Sequence, residues 1–464
     1  MRWLGCPEIR MGTERFVVFA AGLSVFLFGG CEHYRRLALD GTAGDGLSSG
    51  ELAGMRTAAS AIRHPILRPL AVDLRDGLSP EEAGVMAVVS NPSLRSARDG
   101  RGLAGAQVLQ AGLLPNPRIR ASGGFLSGNH ESGLSDAYGF GVDWDVAALV
   151  VRPAKLRGAQ ARQAEVDLDI AWREWQVAQA AKMAAWRVVC LERQQVLARK
   201  TEELLAEQRE LVRAAVEKGT ATSKEVAVAK VAAREAGQRR IAIEKQAAER
   251  RLELLRLLGA SPNAEIRVSE RHGLPVRVEA PGFGALAAGL ERRRPDLLAL
   301  RSGYECQEAA VRAAILGQFP SVGIGASKER DTDSVKTVGF EVGIELPVFD
   351  RNHARIAAER ATRRKLRDEY ADRLFQARSD IAMLLTGIRF LNRQIAAVRK
   401  AEEDEDELVR TYERALGAGR ADALVVFDAR RRLAATRFGE IELRGQLAEA
   451  VCALELAAGV YQIP

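Results

Sequence analysis

Two short stretches decide the fold: Asn91-Pro92-Ser93-Leu94 and Arg294-Pro295-Asp296-Leu297. The first is followed by Leu113-Leu114-Pro115-Asn116-Pro117 and the second by Leu316-Gly317-Gln318-Phe319-Pro320, so both pairs of motifs share one offset, 203 residues (91 to 294 and 113 to 316). A repeat of this length is far too long for a solenoid unit. Each copy is therefore a half-domain, and the sequence predicts two similar halves.

Composition and charge favour one large, mostly helical body. The chain has 464 residues, a net charge of +7 and only 5% aromatic residues, and its alanine-rich character fits closely packed helices. Basic and acidic residues are intermixed, for example Arg292-Arg293-Arg294 against the acidic run 402–407, so we expect no nucleic-acid partner.

The N-terminus is predicted to be a targeting segment. Arg10 and Arg15 precede the apolar run 16–28, which is too short to span a bilayer and has the length of a signal-peptide core. The following Gly29-Gly30-Cys31 resembles a bacterial lipoprotein signal, in which the cysteine is lipidated; an ordinary signal peptide is the alternative. Either way, we expect the protein to leave the cytoplasm.

Helix-start signals and glycine-rich segments divide the rest of the chain. Ser79-Pro80-Glu81-Glu82 places an N-cap, a proline at the first helical position and acids in the first turn. The preceding residues lack any sustained period and are predicted to be an extended leader. The predicted segments are a signal peptide (1–30), a lipid-anchored leader (31–78), a first repeat (79–260), an equatorial linker (261–280) and a second repeat (281–464).

Each half contains a long helical hairpin. Residues 159–218 include neither glycine nor proline, and Gly219 and Gly419 follow the two longest helical patterns. Heptad spacing predicts coiled-coil packing, and new helices are expected over roughly 222–258 and 422–458. The heptad positions are Met183, Cys190, Leu197, Leu204 and Leu211, flanked by Ala184, Leu191, Ala198, Leu205 and Val212, in the first half, and Leu374, Ile381, Ile388 and Ile395 with Ala377, Leu384, Leu391 and Val398 in the second.

Each half also contains one β-hairpin. Segments 117–127, 137–147, 320–329 and 337–346 alternate apolar and polar residues, which is a strand signal. Their length matches a tilted barrel strand that crosses a membrane. Because open sheet edges are too costly in lipid and four strands are too few for a barrel, the chain is expected to oligomerise in order to insert.

The order of these elements resembles the outer-membrane factor (TolC-like) family of efflux channels over roughly residues 79–460. The segments that carry the resemblance are 91–94, 114–117, 293–297 and 345–352, the last reading Glu-Leu-Pro-Val-Phe-Asp-Arg-Asn as in the heavy-metal-exporter (CzcC-like) branch. The resemblance implies a TolC-like fold, mainly α with a small β part. It also implies a homotrimer that forms a 12-stranded barrel and an α-helical tunnel.

The resemblance further implies a passive duct of a tripartite efflux system in the outer membrane of a Gram-negative bacterium. Its partners would be a periplasmic adaptor and an inner-membrane transporter of the resistance-nodulation-division (RND) type, and its cargo metal cations or small toxic compounds. A type I secretion duct and a periplasmic adaptor protein are the alternatives. The membrane-length β-hairpins argue against the adaptor, because adaptors lack them.

Two sets of residues are candidates for function. By position in the family, the hairpin tips that face the adaptor hold Gly219, Thr222, Gly419, Arg420 and Asp422, where the glycines permit the chain reversal and Arg420 and Asp422 contribute to gating or docking. A simple solvated turn is the alternative. Carboxylates on the polar strand face are predicted to line the pore and favour cations; they are Asp143, Asp145, Glu341 and Glu345.

Arginines on the same face are expected to modify this lining. Arg118 and Arg120 alternate onto that face and are expected to neutralise Asp143 and Asp145, which leaves Glu341 and Glu345 as the stronger candidates. The acidic run 402–407 is a second candidate for cation conduction, with a solvated surface as its alternative. The five histidines are dispersed and no phosphate-binding glycine loop is present, so the sequence predicts no enzyme, cofactor or bound metal.

Overall fold

The computed structural model describes residues 33–39, 45–126, 134–219, 222–269 and 273–463. Residues 33–39 have no regular secondary structure, and the folded body comprises Gly46–Pro464. Cys31, the predicted lipidation site, lies outside the described residues. The elements of the body are α1 (Ser49–Gly54), α2 (Arg56–Ser60), α3 (Pro80–Ser90), α4 (Pro92–Gly112), β1 (Arg118–Gly124), β2 (Ala137–Asp145), α5 (Ala147–Glu217), α6 (Ser223–Leu257), α7 (Phe283–Ala287), α8 (Leu290–Arg293), α9 (Pro295–Leu316), β3 (Ser321–Arg330), β4 (Lys336–Glu345), α10 (His353–Gly417) and α11 (Ala423–Ala458).

The duplicated motifs start equivalent helices and perform the same task with different side chains. Asn91 caps α4 by accepting a hydrogen bond from the Ser93 amide, and its Nδ2 donates to the carbonyl of Leu257 at the end of α6. In the second half Arg294 precedes α9 and its Nη1 donates to the carbonyl of Ala457 near the end of α11. Each motif therefore joins the start of a short helix to the end of its own long hairpin.

Two long helical hairpins form most of the body, as predicted. Helix α5 has 71 residues and α10 has 65, which at 1.5 Å per residue corresponds to about 100 Å each. Helix α5 begins at Ala147 and continues through Pro153, ahead of the proline-free stretch 159–218. Proline has no amide hydrogen to donate to the carbonyl four residues earlier, and its neighbour Ala154 is buried.

The heptad prediction is correct for α10, and in α5 the flanking series is the more deeply buried of the two predicted series. Ile381, Ile388 and Ile395 are buried against α11, as expected. In α5, however, Leu211 is 64% exposed, and the buried positions belong to the flanking series. Those buried positions are Ala184, Ala198, Leu205 and Val212. The small residues are the ones that allow α5, α6 and α11 to approach closely, and Phe427 and Phe438 of α11 pack beside them.

Residues 46–78 are not an extended leader. Leu52 and Leu78 are buried in the same core as Met86 of α3, and Leu47 and Leu78 form parallel bridges with the 260–268 segment. His64 connects the middle of this segment to α5, because its Nε2 lies 2.8 Å from the carbonyl oxygen of Ala171. Much of the backbone of 46–78 is irregular, as in a linker, but five of its apolar side chains are buried.

A buried polar contact joins the two halves. Lys182 of α5 lies with its Nζ 3.0 Å from the carboxylate of Glu455 on α11, and both side chains are almost fully buried. Glu455 also accepts hydrogen bonds from the side-chain amide of Gln179 and the backbone amide of Ile463. The contact therefore connects the first repeat, the second repeat and the C-terminal segment.

The strands form one four-stranded antiparallel sheet in the order β1-β2-β3-β4. The two predicted hairpins are confirmed, and β2 pairs with β3, which joins the halves into one sheet. Among the described helices, His353–Gly417 alone is long and apolar enough to cross a membrane by composition, over an 18-residue window of mean hydropathy 1.2. Its 65 residues are about three times what a bilayer needs, so we interpret this window as packing surface.

Candidate functional site

The sheet has one polar, glycine-rich face and one apolar face. Residues directly opposite each other in neighbouring strands share a face, and the register places Arg118, Asp143, Gly325 and Glu341 in one row. Asp145 and Glu345 lie on the same polar face, toward the helical end of the sheet. The structure thus brings the four predicted carboxylates together on one surface.

Arg120 reaches across the polar face to two of the carboxylates. Its Nη2 lies 2.7 Å from Oδ1 of Asp143 and 3.0 Å from Oε2 of Glu341. Gly325 leaves room for the Asp143 carboxylate between the strands, because a Cβ on Gly325 would lie 2.8 Å from Asp143 Oδ1. The expectation that the arginines neutralise Asp143 and Asp145 therefore holds for Asp143 only, and Arg120 also pairs with Glu341.

Asp145 and Glu345 remain without an arginine partner among the described residues. Oδ1 of Asp145 accepts a hydrogen bond from the Ala148 amide at 3.2 Å, at the start of α5. Oε2 of Glu345 accepts one from Oγ of Ser321 at 3.1 Å. Their negative charges are neutralised by no side chain in the described structure, so these two residues carry the unpaired charge of the predicted lining.

The opposite face of the sheet is apolar and exposed. Phe340 is 90% exposed, Ile119 73% and Val338 67%. Within the described chain β1 and β4 each pair on one side only, which leaves two open edges. An exposed apolar sheet with two unpaired edges is unstable in water. A single copy in lipid would still leave both edges without hydrogen-bond partners.

The tip residues are placed at the ends of the long hairpins, as predicted. Gly219 and Gly419 have positive φ values of 76° and 69°, which permit the reversal. Thr222 caps α6 through a capping box, and Asp422 caps α11 by accepting from the Leu424 amide at 3.0 Å. Arg420 is exposed, so it is the predicted tip side chain that remains available to a partner.

The acidic run 402–407 is partly neutralised within its own hairpin. Arg437 of α11 donates to Glu402 and to Asp406 at 2.9 and 3.1 Å, and Asp406 also pairs with Arg410. Glu403, Asp404 and Glu407 are exposed. The sequence could not show this pairing, because Arg437 lies on the neighbouring helix.

Comparisons with known proteins agree with this architecture. Residues 287–460 match the family model described as outer membrane efflux protein. None of the curated proteins matches the chain significantly. Over residues 287–460 the chain is therefore similar to the outer membrane efflux protein family, and it has the TolC-like fold.

Solved structures share the fold at low sequence identity. VceC, an outer membrane protein of Vibrio cholerae, is 18% identical, with 82% of this chain and 96% of that chain covered and a TM-score of 0.68. The outer membrane channel MtrE of Neisseria gonorrhoeae, solved in its open state, is 19% identical, with 86% and 97% covered and a TM-score of 0.67. CusC, studied for transmembrane channel formation, is 18% identical, with 83% and 94% covered and a TM-score of 0.69.

Proposed function

We propose that this protein is the outer-membrane duct of a tripartite efflux system and that three copies build it. The observation that carries the proposal is the four-stranded sheet with one apolar exposed face and two open edges. Three copies placed side by side would pair β1 of one with β4 of the next and close a 12-stranded barrel without edges. The polar face would then line the pore.

The long helices support the same assembly. Helix α10 exposes Phe375, Met383 and Phe390 to 69%, 65% and 57%, on a side of the helix that α11 does not cover. Their spacing of eight and seven residues follows one face of a supercoiled helix. A second copy of this chain would bury that stripe, and three copies with four long helices each would form a tunnel of twelve helical segments.

The proposed duct is passive, and it would be opened by a periplasmic adaptor and energised by an RND-type inner-membrane transporter. The hairpin tips support this arrangement, because they lie at the far end of the long helices from the sheet. Gly219, Thr222, Gly419 and Asp422 would shape the turns, and Arg420 would contact the adaptor or hold the closed pore. If Arg420 closes the pore, Arg420→Ala will raise single-channel conductance; an unchanged conductance would leave adaptor docking as its role.

The proposed cargo is metal cations or small toxic compounds, and the charge of the pore face favours cations. Five carboxylates lie on that face, at Asp143, Asp145, Glu329, Glu341 and Glu345, against two guanidinium groups, at Arg118 and Arg120. Three negative charges per chain remain. A pore with a fixed negative charge concentrates cations. The resemblance of residues 345–352 to the heavy-metal-exporter branch points to metal ions within this class.

The first experiment is purification in detergent, mass determination and conductance in planar bilayers with a salt gradient. A trimer that forms cation-preferring channels is expected. A monomer without conductance would overturn the duct and favour a periplasmic helical partner. A trimer that prefers anions would leave the duct intact and refute the assignment of the carboxylates to the pore.

A charge variant tests the pore face directly. Glu345→Gln removes an unpaired carboxylate from each copy and is expected to reduce the cation preference measured by reversal potential, and Glu345→Lys is expected to reduce it further. Glu279→Gln is the matched control, because Glu279 is exposed outside the sheet beside Arg277. Equal selectivity in all variants would show that Glu345 does not face the ion path.

The proposed anchor is a lipid on Cys31, after removal of residues 1–30. It rests on the apolar run and the small residues that precede the cysteine. Mass spectrometry of the mature N-terminus tests it: a diacylated Cys31 is expected, and Cys31→Ser should abolish the added mass. An unmodified N-terminus at another residue would indicate an ordinary signal peptide.

A further inference from the structure

Three basic side chains lie on the apolar face of the sheet, at the end where loops join the strands of each hairpin. The register of β3 and β4 places Lys328 opposite Val338 and Arg330 opposite Lys336. All three belong to the face that carries Phe340, because they alternate with the residues of the polar face. Rows on one face are about 7 Å apart, so the three cations form one compact group, which we term the basic rim.

The basic rim lies at the end of the sheet away from the helices. Helices α4 and α5 adjoin the other end, since α4 leads into β1 and α5 follows β2. Below the rim, the apolar side chains of β4 continue from Val338 to Ile344 and then to Leu346, a span of about 26 Å along the strand at 3.3 Å per residue. A strand tilted by about 40° covers roughly 20 Å of membrane thickness over this span, so the rim sits where the apolar core ends.

Within the part of the chain that the structure describes, no carboxylate neutralises the basic rim: none of its three cations forms an ion pair within 4 Å there. Glu329 points to the polar face, opposite Gly139, and Oδ1 of Asp331 accepts hydrogen bonds from two amides of its own turn. Asp333 is exposed in the same turn.

Arg330 is held in place while one of its donors is left without an acceptor. Its Nη2 donates to Oγ of Ser135 and of Ser334, both at 2.9 Å, and its guanidinium lies 6.0 Å from the ring of Tyr138. Its Nε is buried and has no hydrogen-bond partner. Tyrosine and basic side chains together are typical of the boundary between an apolar membrane core and charged headgroups.

We propose that the basic rim binds the phosphate groups of outer-leaflet lipids. This inference rests on the proposed insertion of the sheet as a barrel. The ligand chemistry follows from the site: clustered ammonium and guanidinium groups without carboxylate partners bind phosphate. The apolar side chains directly below would contact the acyl chains of the same lipid, which distinguishes a lipid from free phosphate. Three copies would place nine cations around the outer circumference of the channel.

The test measures lipid binding to the purified full-length trimer by native mass spectrometry with lipid A as the probe. The double variant Lys328→Gln/Lys336→Gln leaves Arg330 and its serine contacts in place. Each lysine near an anionic surface strengthens binding about fivefold, so the double variant should bind lipid A about 30-fold more weakly. Lys365→Gln/Lys400→Gln is the matched control, because both lysines are exposed on α10, away from the sheet.

Conductance of the same preparations separates this inference from the proposed duct. If the wild type forms channels and only the rim variant loses lipid A, the inference holds. The proposed lipid site is overturned, and the proposed duct is unaffected, in either of two cases. One is that the rim variant binds lipid A as tightly as the wild type. The other is that the control variant loses as much lipid A binding as the rim variant. Displacement of lipid A by millimolar inorganic phosphate would also overturn it, because the site would then recognise a free anion. If the wild type forms no channel, the duct itself fails.

Discussion

Replacing Glu455 by alanine should destabilise the protein more than any surface charge change. Glu455 is 1% exposed and pairs with Lys182, whose side chain is 7% exposed. Burial alone would lower the pKa of Lys182, but the carboxylates of Glu455 and Glu81 raise it above its ordinary value. Burial also raises the pKa of the Cys452 thiol, so this group is neutral near pH 7 and the carboxylates supply the negative charge.

The magnitude follows from what the substitution leaves behind. Removing one partner of a buried ion pair costs about 3–5 kcal/mol, because the other charge stays buried. Glu81 remains 3.4 Å from Lys182 Nζ and offsets part of that cost, while the Gln179 side chain and the Ile463 amide each lose an acceptor, at about 1 kcal/mol apiece. These effects nearly cancel, so we expect a loss of about 3–5 kcal/mol in the free energy of unfolding.

Thermal unfolding in detergent, followed by circular dichroism, measures this loss. An unfolding entropy of about 2.1 cal/mol/K per residue gives roughly 1 kcal/mol/K for the chain, so Tm should fall by about 3–5 °C. Glu249→Ala is the control: Glu249 forms an exposed pair with Lys245, and such pairs contribute below about 1 kcal/mol. The double change Lys182→Met/Glu455→Leu should recover most of the lost stability, because it removes both charges together. Equal Tm values for Glu455→Ala and Glu249→Ala would refute the reasoning.

Further predictions concern single side chains. Burial lowers the pKa of His64 below its ordinary value of 6.5. The contribution of neutral His64 to stability is therefore complete above pH 6.5 and is lost as the pH falls toward the folded-state pKa. Tm measured against pH should show this loss, and the His64→Ala variant should lack it. Gly459→Ala should lower Tm more than Gly419→Ala. Both glycines have a positive φ, which costs about 1–2 kcal/mol for alanine. At Gly459 the new Cβ would also lie 3.0 Å from Cγ of Arg294, whereas at Gly419 the space is open. Asn91→Ala should cost about 1–2 kcal/mol, seen as a lower Tm, because the cap of α4 and the bond to the end of α6 are lost together.

Local sequence signals predicted the elements, and long-range contacts account for what was missed. The hairpins, the capping motif at Ser79 and the two-faced strands follow from periodicity and side-chain chemistry over a few residues. Two adjacent apolar series run along α5, and the sequence did not show that Val212 is buried while Leu211 is exposed. The helices at 49–60 were missed because each has only five or six residues.

The sequence predicted which residues share the polar face of the sheet, but it did not predict how their charges pair. Alternation placed Asp143, Asp145, Glu341 and Glu345 on one face, and the register confirms that placement. The contact between Arg120 and Glu341 could not be predicted, because it depends on β2 pairing with β3 and on glycines that leave space between the strands. The role of these carboxylates in conduction remains a prediction for the selectivity measurement.

The bridge from Arg120 to Glu341 has a consequence for the order of folding. The two residues are 221 positions apart in the sequence, and the first helical hairpin lies between them. Local helical contacts form quickly, whereas distant strand pairing must first close a long loop. The helical hairpins should therefore form first and the four-stranded sheet last, so the apolar strands remain unpaired while the rest of the chain is already folded. Such a chain is most prone to aggregation in the interval before the sheet reaches the membrane.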